Sequence, residues 1–305
     1  MLRARPAAGA LRRPRPGRWA RACPRRAFSN LSFDRAGSVI SLTLASGKLN
    51  PLTEALLSDL EAAVDEIDAA CEECRVVVVR GRGGHLTAGG HMTMLQHLPP
   101  LVPGHVDPVY TLFRRFGAVF DRVSDLPQAV VACVDGVAIG GGLGLLCASD
   151  VVLATARSRF GLPEVRAGFI PAQPLPFVVR RIGLSHATRL AVTGTLVTAG
   201  EALRMGLVHV ICDGPTELDA ALDAQLGALG RAEPTAVATV KEVMRRIGGR
   251  PSAETAALLD ECTDLFTASL RSSPARDGVD CFIRKVDPPW ARTPLAVPDS
   301  RADDD

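Results

Sequence analysis

The amino-acid sequence predicts an α/β fold in which strands and helices alternate along the chain. Residues 75–80 and 129–134 form two runs rich in consecutive apolar side chains, a pattern typical of strands covered on both faces of a sheet. Residues 52–70 precede the first of these runs and carry apolar side chains at helical spacing. Because parallel strands are joined by crossover helices, this alternation indicates an α/β architecture.

The remaining elements of the predicted core follow in order from Leu31, where we expect ordered structure to begin. Periodicity and glycine-rich breaks define each of them. The predicted elements are a strand at 39–44, the helix at 52–70, the strand at 75–80, a glycine-rich loop at 81–90, a helix at 109–126, the strand at 129–134, a short apolar helix at 140–148 and a strand at 151–154.

Helices dominate the sequence from about residue 183 onward. Residues 215–230, 233–247 and 252–270 have helical spacing, and few strands are predicted between them. A helical segment that follows an α/β core suggests a lid or an assembly surface. We therefore predict four regions: a disordered basic N-terminus at 1–30, a core at 31–230, a C-terminal helical segment at 231–290 and a disordered tail at 291–305.

The overall composition narrows the possible functions. Hydrophobic residues make up 47% of the chain, which is sufficient for a sizeable core. The net charge of +2 is close to neutral and argues against a nucleic-acid partner over the whole surface. No apolar run reaches the roughly 18 residues that a membrane-spanning helix needs.

The eight cysteines are scattered and do not have the spacing of a disulfide framework. Cys71 and Cys74 form a CxxC pair, but the second pair that a zinc ribbon requires does not follow. We expect reduced, structural cysteines and no metal, as in the cytosol or the mitochondrial matrix.

The N-terminal segment is strongly basic. Residues 1–33 contain nine arginines and no acidic residue, which resembles an organellar presequence, and residues 26–29 resemble a mitochondrial processing site. Four prolines would interrupt an amphipathic helix here. The expected location is the mitochondrial matrix. The alternatives are an unstructured basic tail, or a start assigned too early in a GC-rich bacterial gene, which would place the protein in the cytoplasm.

A run of motifs in the middle of the chain carries a family resemblance. Residues 135–142 read DGVAIGGG, Ser149 and Asp150 follow, and residues 160–164 read FGLPE. In this order and spacing the motifs resemble the signature of the crotonase, or enoyl-CoA hydratase/isomerase, family. Further similarity at 48–52, 88–90 and 273–290 extends the resemblance from about residue 34 to residue 290.

The resemblance implies a crotonase (ClpP-like) fold of repeated ββα units with a C-terminal helical oligomerisation segment. It also implies a homotrimer or hexamer and an acyl-CoA substrate. Coenzyme A would be part of the substrate, and no separate cofactor is expected.

The resemblance further implies an oxyanion hole formed by the backbone N–H groups of Gly90 and Gly141. An acyl thioester that becomes an enolate gathers negative charge on its carbonyl oxygen, and two fixed N–H donors stabilise that charge. Removing one such donor typically costs roughly 3–4 kcal/mol. Glycine allows the backbone to approach the substrate closely.

Family hydratases use two glutamates, and this sequence retains one. Glu164 matches the second catalytic position, whereas Gly144 stands at the first. A single carboxylate is sufficient to move a proton from C2 to C4, so the sequence favours a double-bond isomerase with Glu164 as its base. Burial in an apolar pocket would raise the pKa of this glutamate toward neutrality, which suits a base.

Two alternatives remain open at this point. Residues 170–183 are similar to crotonase-type dehydratases of polyketide β-branching and to methylglutaconyl-CoA and carboxygeranoyl-CoA hydratases, which act on branched or carboxylated acyl thioesters. In that case Arg166 is a candidate partner for a substrate carboxylate, although the sequence favours an exposed arginine on a helix at this position. The other alternative is a catalytically inactive protein with a crotonase fold. A separate, third class is a crotonase-fold protein that binds RNA through the basic N-terminus.

The coenzyme A contacts are expected from the resemblance alone. The loop around Lys48 and the segment that contains Ala88, Gly89 and His91 line the coenzyme A channel in relatives. Lys285 matches a position where a basic residue meets the nucleotide phosphates. His91 replaces a residue that is usually aspartate, so it is also a candidate acid or base.

Overall fold

Two sheets organise the residues that the computed structural model describes, which are 28–70, 73–248 and 252–291. The larger sheet has the strand order β1-β2-β3-β4-β6-β9; β1 is antiparallel to β2, and the other neighbours are parallel. The smaller sheet has the order β5-β7-β8. The strands are β1 Leu31–Ala36, β2 Val39–Leu44, β3 Val76–Gly81, β4 Ala129–Val134, β5 Val137–Ile139, β6 Val151–Thr155, β7 Arg159–Gly161, β8 Leu196–Thr198 and β9 Val210–Cys212.

Helices connect these strands and then form the C-terminal region. Proline at the first or second helical position and a capping side chain begin several of them, as Asp107 and Pro108 do for α3. The helices are α1 Glu54–Ala69, α2 Met92–Gln96, α3 Pro108–Asp125, α4 Gly141–Ala148, α5 Leu175–Thr193, α6 Ala199–Arg204, α7 Pro215–Gly230, α8 Pro234–Ile247, α9 Ser252–Leu270 and α10 Ser273–Arg284.

The larger sheet is covered on both faces, as its apolar strands predicted. Val77 of β3 pairs with Val130 of β4, and both side chains belong to the main hydrophobic core. The next residues along the strands, Val78 and Val131, point to the opposite face, where Leu218 of α7 packs against them. Successive strand residues alternate between faces, so consecutive valines supply two apolar surfaces.

The predicted α/β class and the main predicted elements are confirmed. The strand predicted at 39–44 and the strand predicted at 129–134 have the predicted bounds. The helix predicted from residue 52 begins at Glu54, because the Thr53 side chain accepts a hydrogen bond from the Leu56 N–H and caps it. The sequence did not reveal β5, β7, β8 or β9, which have three residues each.

The C-terminal helices α9 and α10 pack over one end of the core. The Phe266 ring of α9 lies 4.2 Å from the ring of Phe113 in α3 and 5.9 Å from that of Phe169, edge-to-face in the second case. Leu270, Ala275 and several neighbours complete this second hydrophobic cluster. The segment predicted to be helical therefore closes the end of the sheet at which the glycine-rich loops lie.

Parts of the sequence-based prediction lie outside the described residues. These are residues 1–27 of the basic N-terminus, Cys71 of the CxxC pair and residues 292–305 of the tail. Within the described residues, no helix has the length and apolar character to cross a membrane. The same residues contain no cluster of three His, Cys, Asp or Glu side chains suited to a metal ion.

Candidate active site

Gly140 and Gly141 form the turn that joins β5 to α4. Gly140 has φ 58° and ψ −124°, a backbone conformation that favours glycine, and its N–H donates to the Gly161 carbonyl at 3.0 Å. Gly141 is the first residue of α4, so its own N–H has no acceptor in a preceding helical turn. This N–H lies at the positive end of the helix dipole and is suited to bind an anionic oxygen.

The loop that contains Gly90 is held beside this turn by backbone hydrogen bonds. The Leu52 N–H donates to the Gly89 carbonyl at 2.9 Å, and the Ile139 N–H donates to the Thr87 carbonyl at 3.0 Å. A methyl group at Gly140 would lie 3.7 Å from the Gly89 Cα, so the two loops are in close contact. The structure therefore places the predicted oxyanion-hole glycines on adjoining loops.

Glu164 lies against the same turn. It belongs to a 3₁₀ turn, Pro163–Ala167, that follows β7. A methyl group at Gly140 would lie only 2.5 Å from the Glu164 Oε1 atom. The carboxylate is thus positioned next to the peptide unit that precedes the Gly141 amide.

The electrostatic environment of Glu164 favours a base that works near neutral pH. Its Oε2 atom is buried and has no hydrogen-bond partner among the described residues. Burial raises the pKa of Glu164 to about 7, and a hydrogen bond from its own backbone only partly opposes this effect. The carboxyl group can therefore both accept and release a proton at physiological pH.

These groups face a small, apolar cavity with a volume of about 120 Å³. Glu164 is the one ionisable side chain among the described residues that line it, and Gln173 is the one other polar side chain. Six phenylalanines contribute to the wall, namely Phe113, Phe116, Phe120, Phe169, Phe266 and Phe282. Such a cavity suits an acyl chain, and it strengthens electrostatic interactions at its polar end.

Gly144 has no room for a side chain. It is buried in α4, and a methyl group there would lie 2.8 Å from the Phe120 ring and 3.0 Å from the Pro174 Cβ. A carboxylate at this position would require both neighbours to move. Phe120 and Pro174 thus occupy the space that a side chain would need at position 144, the first catalytic position of the family.

Gln173 is a site residue that the sequence analysis did not identify. Its side chain is 3% exposed, it lines the cavity, and its Nε2 atom forms no hydrogen bond with a described residue. The one sequence signal was its place between Ala172 and Pro174 in a motif of the resembling dehydratases. Periodicity cannot show that a loop glutamine is buried.

The structure brings five of the predicted site residues to the cavity wall and leaves three outside it. The five are Ala88, Gly89, Gly90, Gly141 and Glu164. Lys48, His91 and Lys285 are exposed and do not line the cavity. Contacts of these three residues with coenzyme A, and an acid/base role for His91, stay predictions.

Arg166 points away from the cavity. Its side chain is directed toward the end of α5, where it donates to the Thr193 carbonyl at 3.3 Å. The predicted pairing of Arg166 with a substrate carboxylate therefore receives no support from the geometry.

Comparison with known proteins adds an independent observation. The enoyl-CoA hydratase/isomerase family model matches residues 34–293. A putative enoyl-CoA hydratase of Thermus thermophilus is 32% identical over 200 residues, which are 66% of this chain and 77% of that protein. The 2,3-dehydroadipyl-CoA hydratase of Escherichia coli is 29% identical over 266 residues, or 86% and 98% of the two chains. The crystal structure of an enoyl-CoA hydratase/isomerase from Marinobacter aquaeolei has a TM-score of 0.68 and 33% identity, covering 86% of this chain and 99% of that one.

Proposed function

The chain belongs to the enoyl-CoA hydratase/isomerase family, and on this premise we propose that it hydrates a 2-enoyl thioester of coenzyme A with Glu164 as its single carboxylate. Membership confirms the crotonase resemblance and the crotonase fold that the motifs predicted. One observation carries the proposal: Glu164, whose Oε2 atom is buried and has no partner among the described residues, lies beside the Gly140–Gly141 turn in an apolar cavity. Both curated relatives described above are named hydratases.

A single carboxylate is sufficient for the complete reaction. The oxygen of a water molecule bonds to C3 of the substrate while Glu164 takes one proton from that water. The π electrons of the C2–C3 bond move to C2 and the thioester oxygen, and the N–H groups of Gly90 and Gly141 stabilise the resulting enolate. Glu164 then returns its proton to C2, so one water is added and the carboxylate is regenerated.

The cavity favours an uncharged acyl chain over a carboxylated one. Lysine, arginine and histidine are missing from the described residues that line it, and Arg166 is directed elsewhere. Burying a carboxylate without a cationic partner is costly. The phenylalanine side chains instead provide an apolar surface for hydrocarbon.

Double-bond isomerisation, which the sequence favours, is the second candidate. The observation in its favour is the lack of space at Gly144, which leaves Glu164 as the single ionisable side chain among the described lining residues. Glu164 would remove a proton from C2 of a 3-enoyl thioester and return it at C4 through a dienolate, whose thioester oxygen the N–H groups of Gly90 and Gly141 would stabilise. This reaction requires no bound water.

Mass spectrometry with two substrates separates the candidates, since hydration adds one water and isomerisation conserves mass. We expect the wild-type protein to convert crotonyl-CoA to the hydrated product. Turnover of 3-hexenoyl-CoA to an isomer, with no hydration of crotonyl-CoA, would establish the second candidate instead. Failure to convert either substrate would favour a catalytically inactive protein.

We also propose that the chain assembles as a homotrimer or hexamer. Four apolar side chains of α8 recur at helical spacing and are each at least 47% exposed, which leaves an apolar stripe uncovered on the single chain. They are Val240, Val243, Met244 and Ile247. Light scattering tests the assembly, and a monomer at micromolar concentration would contradict it.

A further inference from the structure

Gln173 is a buried amide that the proposed mechanism has not yet used. It lies just before α5, and its side chain is 3% exposed. No described residue accepts a hydrogen bond from its Nε2 atom, although this atom is buried. Leaving a buried polar group unpaired costs free energy, so this atom favours a bound partner.

The location of Gln173 suggests what it binds. Gln173 and Glu164 are the two polar side chains among the described cavity-lining residues, and each has an unpaired, buried atom. Pro174, the next residue, packs 3.0 Å from the position of a methyl group at Gly144. Gln173 therefore lines the cavity next to Pro174, and Pro174 occupies part of the space that the first family glutamate would need.

The chemistry of a carboxamide identifies the class of ligand. Its Nε2 donates and its Oε1 accepts, so it complements a group that does both, such as water or a hydroxyl. A carboxylate only accepts, and the cavity offers it no cationic partner among the described residues. The unpaired Nε2 is a donor and requires an acceptor, and a neutral oxygen suits a cavity that has no cationic side chain among its described lining residues.

We propose that Gln173 binds the oxygen that is added at C3, as water in the hydration direction and as the 3-hydroxyl group in the reverse reaction; this inference rests on the proposed hydration. The Gln173 amide holds this oxygen while Glu164 accepts one of its protons. In family members with two glutamates, the one at the position of Gly144 makes the second polar contact. In this chain Gln173, just before α5, makes that contact instead.

Gln173→Met tests the proposal, because methionine has similar length and forms no comparable hydrogen bond. We expect kcat/KM for the hydration of crotonyl-CoA to fall about 10²-fold. Exchange of the C2 protons of butyryl-CoA with D₂O reports enolate formation without water addition, and we expect it to change less than about threefold. Equal losses in both reactions, or no loss in either, would overturn the proposal.

Gln128→Met is the matched control. Gln128 is also 3% exposed and its side-chain amide is also unpaired, but it does not line the cavity. We expect this variant to hydrate crotonyl-CoA like the wild type, and a matching loss there would point to a general packing effect. If the wild type exchanges C2 protons but does not hydrate crotonyl-CoA, the proposed function fails and the role of Gln173 fails with it. If the wild type hydrates and Gln173→Met hydrates equally well, only the role of Gln173 fails.

Discussion

The cavity that contains Glu164 and the groove beside α8 both bury ionisable side chains, but they treat these charges differently. In the groove, which has a volume of about 870 Å³, the Lys241 Nζ lies 2.6 Å from the Asp150 Oδ2 and 2.7 Å from the Gln128 carbonyl. In the cavity of about 120 Å³, the Glu164 Oε2 is unpaired. The groove therefore holds an ion pair between Lys241 and Asp150, whereas the cavity holds a carboxylate whose Oε2 atom has no partner among the described residues.

The ion pair in the groove contributes to stability, whereas the carboxylate in the cavity is placed for proton transfer. Burial lowers the pKa of Lys241, whereas Asp150 and its hydrogen bond favour the charged form. The Asp150 carboxylate also accepts a hydrogen bond from the Val130 N–H at 2.7 Å and so joins α8 to the sheet. Glu164 has no comparable partner, so its charged form is costly in the resting protein and is available for proton transfer.

The largest expected effect is that of Glu164→Gln, which removes the base and keeps the shape. We expect kcat/KM to fall about 10³-fold in hydration, because general acid/base catalysis is lost. Steady-state kinetics with crotonyl-CoA measures it. Activity equal to that of the wild type would refute the role of Glu164.

The same variant should not lose stability. The folded pKa of Glu164, about 7, lies above the ordinary value of 4.5, so the cost of ionisation is absent below pH 4.5 and fully present above pH 7. We expect the Tm of Glu164→Gln to exceed that of the wild type by a few °C at pH 8 and the difference to shrink as the pH falls toward 4.5. If the Tm of Glu164→Gln at pH 8 were lower than that of the wild type, this would contradict the unpaired state of the Glu164 Oε2 atom.

Gly140→Ala comes next and tests how closely the turn and the base fit. Its new methyl group would lie 2.5 Å from the Glu164 Oε1, and the positive φ adds strain of roughly 1–2 kcal/mol. We expect about a 10²-fold loss of kcat/KM together with a lower Tm. Gly183→Ala is the control, because Gly183 has φ 74° but nothing within 4 Å of the added methyl. Gly183→Ala should lower the Tm and leave kcat/KM unchanged. If it lost as much activity as Gly140→Ala, backbone strain alone would explain the loss in both variants.

Lys241→Met should show the opposite pattern to Glu164→Gln. It leaves Asp150 without its cation in the groove, and we expect the free energy of unfolding to fall by roughly 1–3 kcal/mol. Because the groove is separate from the cavity, kcat/KM should stay within about twofold of the wild type. Urea unfolding and the hydration assay measure the two quantities. A large loss of activity without loss of stability would break the distinction between the two regions.

The last prediction concerns the pH dependence, in which Lys241→Met should cause no shift. Glu164 must be ionised to act as the base, so kcat/KM should rise about tenfold per pH unit below 7 and level off above it. Lys241→Met should keep the same midpoint. A midpoint near 4.5 in the wild type would show that burial does not raise the pKa of Glu164.

Gly90, Gly141 and Glu164 could be predicted from the sequence, whereas Gln173 and the packing around Gly144 could not. Gly90 and Gly141 were predicted from the family resemblance, and glycine is favoured where the chain turns sharply or approaches a ligand. The position of Glu164 followed from a motif at fixed spacing from those glycines. These signals are local, so a single sequence carries them.

The rest depends on contacts between distant parts of the chain. Phe120 occupies the space next to Gly144 because α3 packs on α4, and Phe266 reaches Phe113 because α9 folds back over the core. The unpaired state of Gln173 follows from the same packing. Strands of three residues, such as β8, are too short for alternation to be visible.

The hydrogen bonds that hold the loop containing Gly90 in place have a further consequence for how such a protein can evolve. The bonds from Leu52 to Gly89 and from Ile139 to Thr87 involve only main-chain atoms. Substitutions of the side chains at positions 144, 164 and 173 therefore leave the donors and acceptors of these bonds in place. On the proposed function, the backbone N–H groups would keep their positions while selection changes the side chains that act on the substrate.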